Sequence, residues 1–144
     1  MAFTGSYMCS SFKKELLTAT HDFTLTTGDV FKIALYNNSA SFTAATTAYT
    51  ATDEITGTNY TAGGATLTNV TPTNDGTTGI TDFADVTWTT ATISGVRGAM
   101  IYNSTKANRA VAILDFGSNK AVTAANFTVY MPSPTAALAI VKVA

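Results

Sequence analysis

Threonine fills 29 of the 144 positions, and this excess constrains the fold more than any other feature. Its β-branched side chain is stiff at χ1 and packs well on a pleated surface. Its hydroxyl suits the wet face of a half-buried strand. Gly, Asn, Asp and Ser supply turn signals between the apolar runs. A hydrophobic share of 46% provides a core, and the length suits one domain that needs no metal or disulfide staple.

Charge narrows the range of partners. Charged residues make up 12% of the chain and the net charge is −1. No basic field is present to attract phosphate, so nucleic acid is not expected as a partner. A weakly charged surface can meet another protein with little desolvation. The longest apolar runs, such as AVAIL at 110–114, are far too short to cross a bilayer. The start lacks a basic stretch followed by an apolar one, so synthesis in the cytoplasm is expected. Cys9 is the sole cysteine and has no intrachain partner. Five Asn-x-Ser/Thr triplets, at Asn37, Asn59, Asn69, Asn103 and Asn126, read as turn and strand residues in so threonine-rich a chain.

Pattern along the chain predicts an N-terminal arm over 1–10 and one domain over 11–144. Phe12, Leu16, Ala19 and Phe23 share a face at helical spacing, so one amphipathic helix is predicted near 11–20, capped by Ser10 or Ser11. VFKIALY alternates as a strand with Phe31, Ile33 and Leu35 on one face. One helical turn near 43–48 and a short strand near 53–57 follow, then a strand at ATLTNV. TPTNDGTTG at 71–79 reads as an exposed loop. Further strands are ADVTWTTAT, GAMIYN, RAVAILDF, NFTVYM and ALAIVKV, with SGVRG as a tight connection or bulge and GSNKAVTAA as a connection. The predicted class is mainly β: an antiparallel β-sandwich with one short N-terminal α-helix.

Catalytic constellations are thin. Asp82 and Asp85 are a carboxylate pair of the kind glycoside hydrolysis uses. Their places at a turn and a strand start instead predict hydrogen bonds to backbone N–H groups. His21 is the sole histidine and is expected at the helix end, as a cap or exposed. No GxSxG elbow, phosphate loop or calcium loop occurs, and one Cys with one His is too few for zinc. No catalytic residue, cofactor or metal is therefore assigned. Trp88 alternates with Val86 and reads as a core anchor.

FKIALYNNSASFTAATTAYTATDEITGTNYTAGGATL, DFADVTWTTATISGVRGAMIYN, RAVAILDFG and NFTVYMP, in that order, resemble a family of small virion structural proteins of tailed bacteriophages. The likeness runs over roughly 11–143. It implies a non-enzymatic, β-rich capsid decoration (cement) protein on the outer surface of the phage head. Its implied partner is the major capsid protein, bridged as a dimer or trimer. The alternatives are a head- or tail-fibre domain that binds host glycans, and a tail or connector subunit. Candidate partner contacts are Phe3 and Tyr7 in the arm, Asn74 and Asp75 in the 71–79 loop, and Arg97 between its two glycines. The arm is expected to order only on the shell.

Overall fold

The computed structural model describes residues 3–144. Strand β1 (Tyr7–Met8) leads into helix α1 (Ser10–Leu17). Then come β2 (Phe31–Tyr36), β3 (Gly57–Thr58), β4 (Ala65–Thr66), β5 (Asn69–Asp75), β6 (Thr78–Phe83), β7 (Val86–Asn103), β8 (Arg109–Val129) and β9 (Val141–Val143). All pairings are antiparallel. The larger sheet has the order β1-β8-β7-β2-β4, with β3 also on β7, and the smaller has β5-β6-β9. Two antiparallel sheets and one short helix give the sandwich-like, mainly β architecture that the threonine content predicts.

An aromatic cluster joins the layers. Phe31 of β2 stacks on Phe23 at 4.4 Å between ring centroids and meets Phe83 of β6 at 5.4 Å. Phe12 of α1 reaches Phe23 edge-on at 6.0 Å. One side chain from the helix, one from each sheet and one from the helix–strand loop thus share a dry volume. Each such ring buries about 150–250 Å². Helix α1 is shorter than the predicted span and is entered from Cys9, without a side-chain cap.

Three readings of the sequence need correction. The 71–79 segment is a hairpin, β5–β6, not a loop. Gly76 takes φ 61° at the first turn position, where two-residue hairpins of the II′ kind favour glycine. Pro72 is tolerated because it lies on the outer edge strand at a register shift between Val70 and Thr73. The second correction concerns GSNKAVTAA, which is not a connection; of the two readings given for SGVRG, the bulge and not the tight connection is found. Both segments lie inside β7 and β8, which pair along 18 and 21 residues. Gly95 (φ 69°) and Gly117 (φ 75°) bend the strands as bulges while the ladder continues.

The third correction concerns the arm. Residues 3–10 are held in the fold, and only Met1 and Ala2 lie outside the described residues. Phe3 is 2% exposed. Its ring meets Phe42 edge-on at 5.8 Å and occupies the space a Cβ on Gly98 would take. Tyr7 and Met8 pair with Ile113 and Ala112 of β8. Burial within the chain itself removes the Phe3 ring from water.

Smaller differences follow from context. Residues 44–45 form a turn rather than a helical turn. The strand near 53–57 is reduced to a Tyr36–Glu54 bridge and to β3. ALAIVKV is a strand only over β9. RAVAILDF lies between two strands with Ala110–Ile113 buried.

Candidate functional site

The polar side chains of interest gather in three places, and in each they are bonded to one another. The first lies where α1 meets the β7–β8 turn. His21 is the centre, with a fully buried side chain. Its Nε2 is 2.7 Å from Glu15 Oε2, and its Nδ1 is 2.9 Å from Asn103 Nδ2. An amide NH₂ only donates, so Nδ1 accepts, and the ring carries its proton on Nε2 toward Glu15. The Asn103 NH₂ also donates to Asp29 Oδ2 at 2.8 Å, while its Oδ1 accepts from the Thr105 and Lys106 N–H groups. Arg109 Nη1 completes the Glu15 carboxylate at 2.6 Å. The expectation of an exposed or capping His21 is corrected here. The ring is clamped between Phe12, at 5.0 Å, and Phe31, at 6.3 Å, so its place is structural.

The second place surrounds Glu54. Tyr49 and Tyr60 each donate to its carboxylate at 2.6 Å, and the Gly63 N–H donates at 2.8 Å. Tyr102 donates to the Gly63 carbonyl at 2.6 Å and stacks on Tyr49 at 4.7 Å. Burial, then the hydrogen bond to Glu54, pushes the Tyr49 and Tyr60 phenols up. Burial likewise raises Tyr36 and Tyr102. The cluster ties the long excursion between β2 and β4 to the large sheet. At Gly64 the chain passes so close to Ile33 that a Cβ would strike its carbonyl, and φ is 74°.

The third is the pair Arg97–Asp115, across β7 and β8. Arg97 Nε and Nη2 donate to the two carboxylate oxygens at 3.0 and 3.4 Å. Arg97, and then the Gly117 N–H, hold the Asp115 carboxyl below the usual range. A lowered folded-state pKa gives stability that is present above about pH 3.9, the ordinary aspartate value, and is lost as pH falls through the lower folded value. Arg97→Ala is expected to cost about 1 kcal/mol at pH 7, the pair being partly exposed. That cost should shrink toward zero in urea titrations as pH falls through the lowered folded-state value. A cost independent of pH would remove the ion pair from the account.

The other sequence candidates fall as follows. Asp82 is 1% exposed and accepts from the Phe83 and Ile140 N–H groups, and Asp85 accepts from Met131 N–H. Bonds to backbone N–H groups were expected, but Asp82 lies within β6 rather than at a turn, and Ile140 and Met131 are distant in sequence rather than local. Burial raises the Asp82 carboxyl. Asp75 accepts from Ala136 N–H at 2.6 Å, and Asn74 is exposed beside it on the hairpin. The Tyr7 hydroxyl is buried with no hydrogen-bond partner among the described residues. Phe3, Tyr7, Arg97 and the Asn74–Asp75 pair do not converge on one patch. Trp88 is 6% exposed with Phe127 edge-on at 6.1 Å, as the core-anchor reading requires. Burial, then the Glu15 charge, pushes the Cys9 thiol up to about 11. No group of three or more His, Cys, Asp or Glu residues able to hold a metal occurs among the described residues. No helix is long and apolar enough to cross a membrane.

One surface escaped the sequence reading. From Phe116 to Val129, β8 pairs with β7 on one side and with no strand on the other among the described residues. Residues 117–121 and 123–126 are exposed. Phe116, Val122, Phe127, Val129 and Tyr130 line an open trough of about 690 Å³ there. Tyr130 is 78% exposed. The signal for it was present: Phe127 and Val129 alternate inward, which sends Tyr130 outward. The chain matches no protein-family model, and no curated protein or solved structure matches it.

Proposed function

We propose that the protein is a non-enzymatic structural component of a phage virion, a decoration protein that binds the outer surface of the head and stabilises contacts between major capsid protein subunits. The ordered run of phrases from FKIALYNN to NFTVYMP supports the virion reading. One structural observation carries the assembly role. The charged and phenolic groups that chemistry would use, around His21, Glu54 and Arg97, are bonded to each other. What is offered outward is a strand edge, unpaired among the described residues, on a threonine-rich, weakly charged surface. Backbone edges and small polar side chains are means by which a tiling protein grips its neighbours. The glycan-binding alternative calls for an exposed cluster of Trp and Tyr with polar neighbours; Trp88 is buried, and Tyr130 is exposed without it.

The test is electron microscopy of particles from the virus that encodes the chain, made with and without its gene. Density of this size on the outer face of the head, absent from particles lacking the gene, is expected. Those particles should also lose their heads at lower temperature. Density on the tail, on a fibre or in the connector would overturn the decoration reading.

A further inference from the structure

We infer that the buried network around His21 is a pH-sensitive latch: a second proton on the ring expels the Asn103 side chain, frees the β7–β8 turn and leaves the imidazolium bonded to Glu15 and Asp29. The orientation of one amide carries the argument. Asn103 Oδ1 accepts from the Thr105 and Lys106 N–H groups, at 3.1 and 3.2 Å. Those two donors fix which end of the amide is oxygen. Its NH₂ therefore points at His21 Nδ1 and at Asp29 Oδ2, 2.9 and 2.8 Å away. Nδ1 is the one basic atom of a neutral ring that carries its proton on Nε2. A second proton has to arrive there, on a fully buried side chain, directly against an N–H donor.

No adjustment in place removes that conflict. Turned over, the Asn103 amide would set its oxygen against the Asp29 carboxylate and its NH₂ against two backbone N–H groups. The side chain has to leave instead. His21 Nδ1 and Asp29 Oδ2 are bonded to the same nitrogen, so they are neighbours once it has gone. The Asp29 carboxylate then accepts the new N–H, and it keeps its other donor, the Asp22 N–H at 3.0 Å. The turn loses two of its anchors in the same event. Its motion reaches the start of β2, because Thr105 Oγ1 accepts from the Val30 N–H and the Ser104 N–H donates to the Val30 carbonyl.

The surrounding charges make both states attainable. Glu15, from α1, faces Nε2 at 2.7 Å, and Asp29, from the loop before β2, lies just beyond the amide. Both carboxylates favour an imidazolium. Arg109 of β8, 2.6 Å from Glu15, and Lys106 of the turn, 3.7 Å from Asp29, oppose it. Asp22, next in sequence, has its carboxylate on Thr24. The Cys9 thiol, at the entry to α1, is held protonated by burial. The rings packed around His21, from Phe12, Phe23 and Phe31, carry no charge. Two arrangements of one buried cluster, separated by a single proton, are what a pH switch requires.

Nuclear magnetic resonance on the full chain tests this, and the sole histidine gives one ring to read. At about pH 8 its nitrogens should report a proton on Nε2 and none on Nδ1. On acidification toward about pH 5 the ring should gain its second proton in one step. The Asn103 NH₂ signals and the Thr105 and Lys106 amide signals should move with the same midpoint. Ile101 and Ala112, paired deeper in the β7–β8 ladder, should stay in place. His21→Phe, which keeps the ring volume, should abolish the step at all three residues. Lys106→Ala, at a side chain 41% exposed, removes a cation from Asp29 and should move the step to higher pH. A proton found on Nδ1 at pH 8 would overturn the inference. So would an imidazolium that leaves the Asn103, Thr105 and Lys106 signals unmoved. A ring that stays neutral until the ladder itself unfolds, or a step that persists in His21→Phe, would do the same.

Discussion

Asn103→Ala is expected to lower the unfolding free energy by about 4 kcal/mol, with a thermal midpoint lower by on the order of 10 °C. Asn103 is fully buried and serves four groups at once. Its loss leaves His21 Nδ1 and Asp29 Oδ2 without their shared donor, and two backbone N–H groups without their acceptor. A buried polar atom left unmatched costs about 1–3 kcal/mol, more than a made hydrogen bond contributes. Asn103→Asp separates geometry from charge. It keeps the acceptor for Thr105 and Lys106 but sets a second carboxylate against Asp29, so a loss at least as large is expected. His21→Phe should cost less than either, since the ring volume between Phe12 and Phe31 is kept. Denaturant unfolding of the three variants checks the order. An Asn103→Ala loss under 1 kcal/mol would show that water reaches the cluster and replaces the amide.

Glu54→Ala is expected to cost about 3 kcal/mol. It removes the shared acceptor of two phenols and one backbone N–H. Glu54→Gln should cost less, because the amide oxygen still accepts from one side. The same cluster sets the alkaline limit. Burial raises the Tyr36, Tyr49, Tyr60 and Tyr102 phenols above their ordinary value. A raised folded-state pKa means that the unfolded chain loses these protons first. Stability is therefore undiminished below about pH 10 and falls as pH rises past it. Absorbance at 295 nm during alkaline titration should show these phenols ionising together with unfolding. In Glu54→Ala the step should come at lower pH. Smooth ionisation without loss of the near-ultraviolet circular dichroism would contradict the burial account.

Much of the fold was legible because it rests on local alternation. Phe31, Ile33 and Leu35 on one face of β2, and Val86 with Trp88 on one face of β7, follow from a period of two. The glycines were harder. A glycine with positive φ serves a turn and a bulge equally well, so Gly95 and Gly117 carried no local sign of which they were. The outcome depends on whether the opposite strand continues, and for Gly95 that strand lies a whole segment further on. Gly76 was misjudged in the opposite sense, because Asn-Asp-Gly signals a tight hairpin as readily as a loop. The polar clusters were invisible for the same reason. His21 and Asn103 lie 82 positions apart and are joined only once α1 and the β7–β8 turn have met. Arg97 was different. An arginine between two glycines in a sparsely charged chain was a candidate partner contact, and the structure pairs it with Asp115 on the neighbouring strand.

The attachment of β1 near the start of β8 also bears on how the chain comes into being. Tyr7 leaves the ribosome long before Ile113, the residue it pairs with. At the usual pace of synthesis, about 5–20 residues per second, the first strand waits on the order of ten seconds for its partner. During that interval the helix α1 has no β8 to pack against. The closing contact is therefore among the latest and most distant in the sequence, which places the domain with slow-folding β topologies. A nascent chain stalled before β8 would expose its N-terminal aromatic residues to any holding chaperone, and release should follow the arrival of residues 109–115.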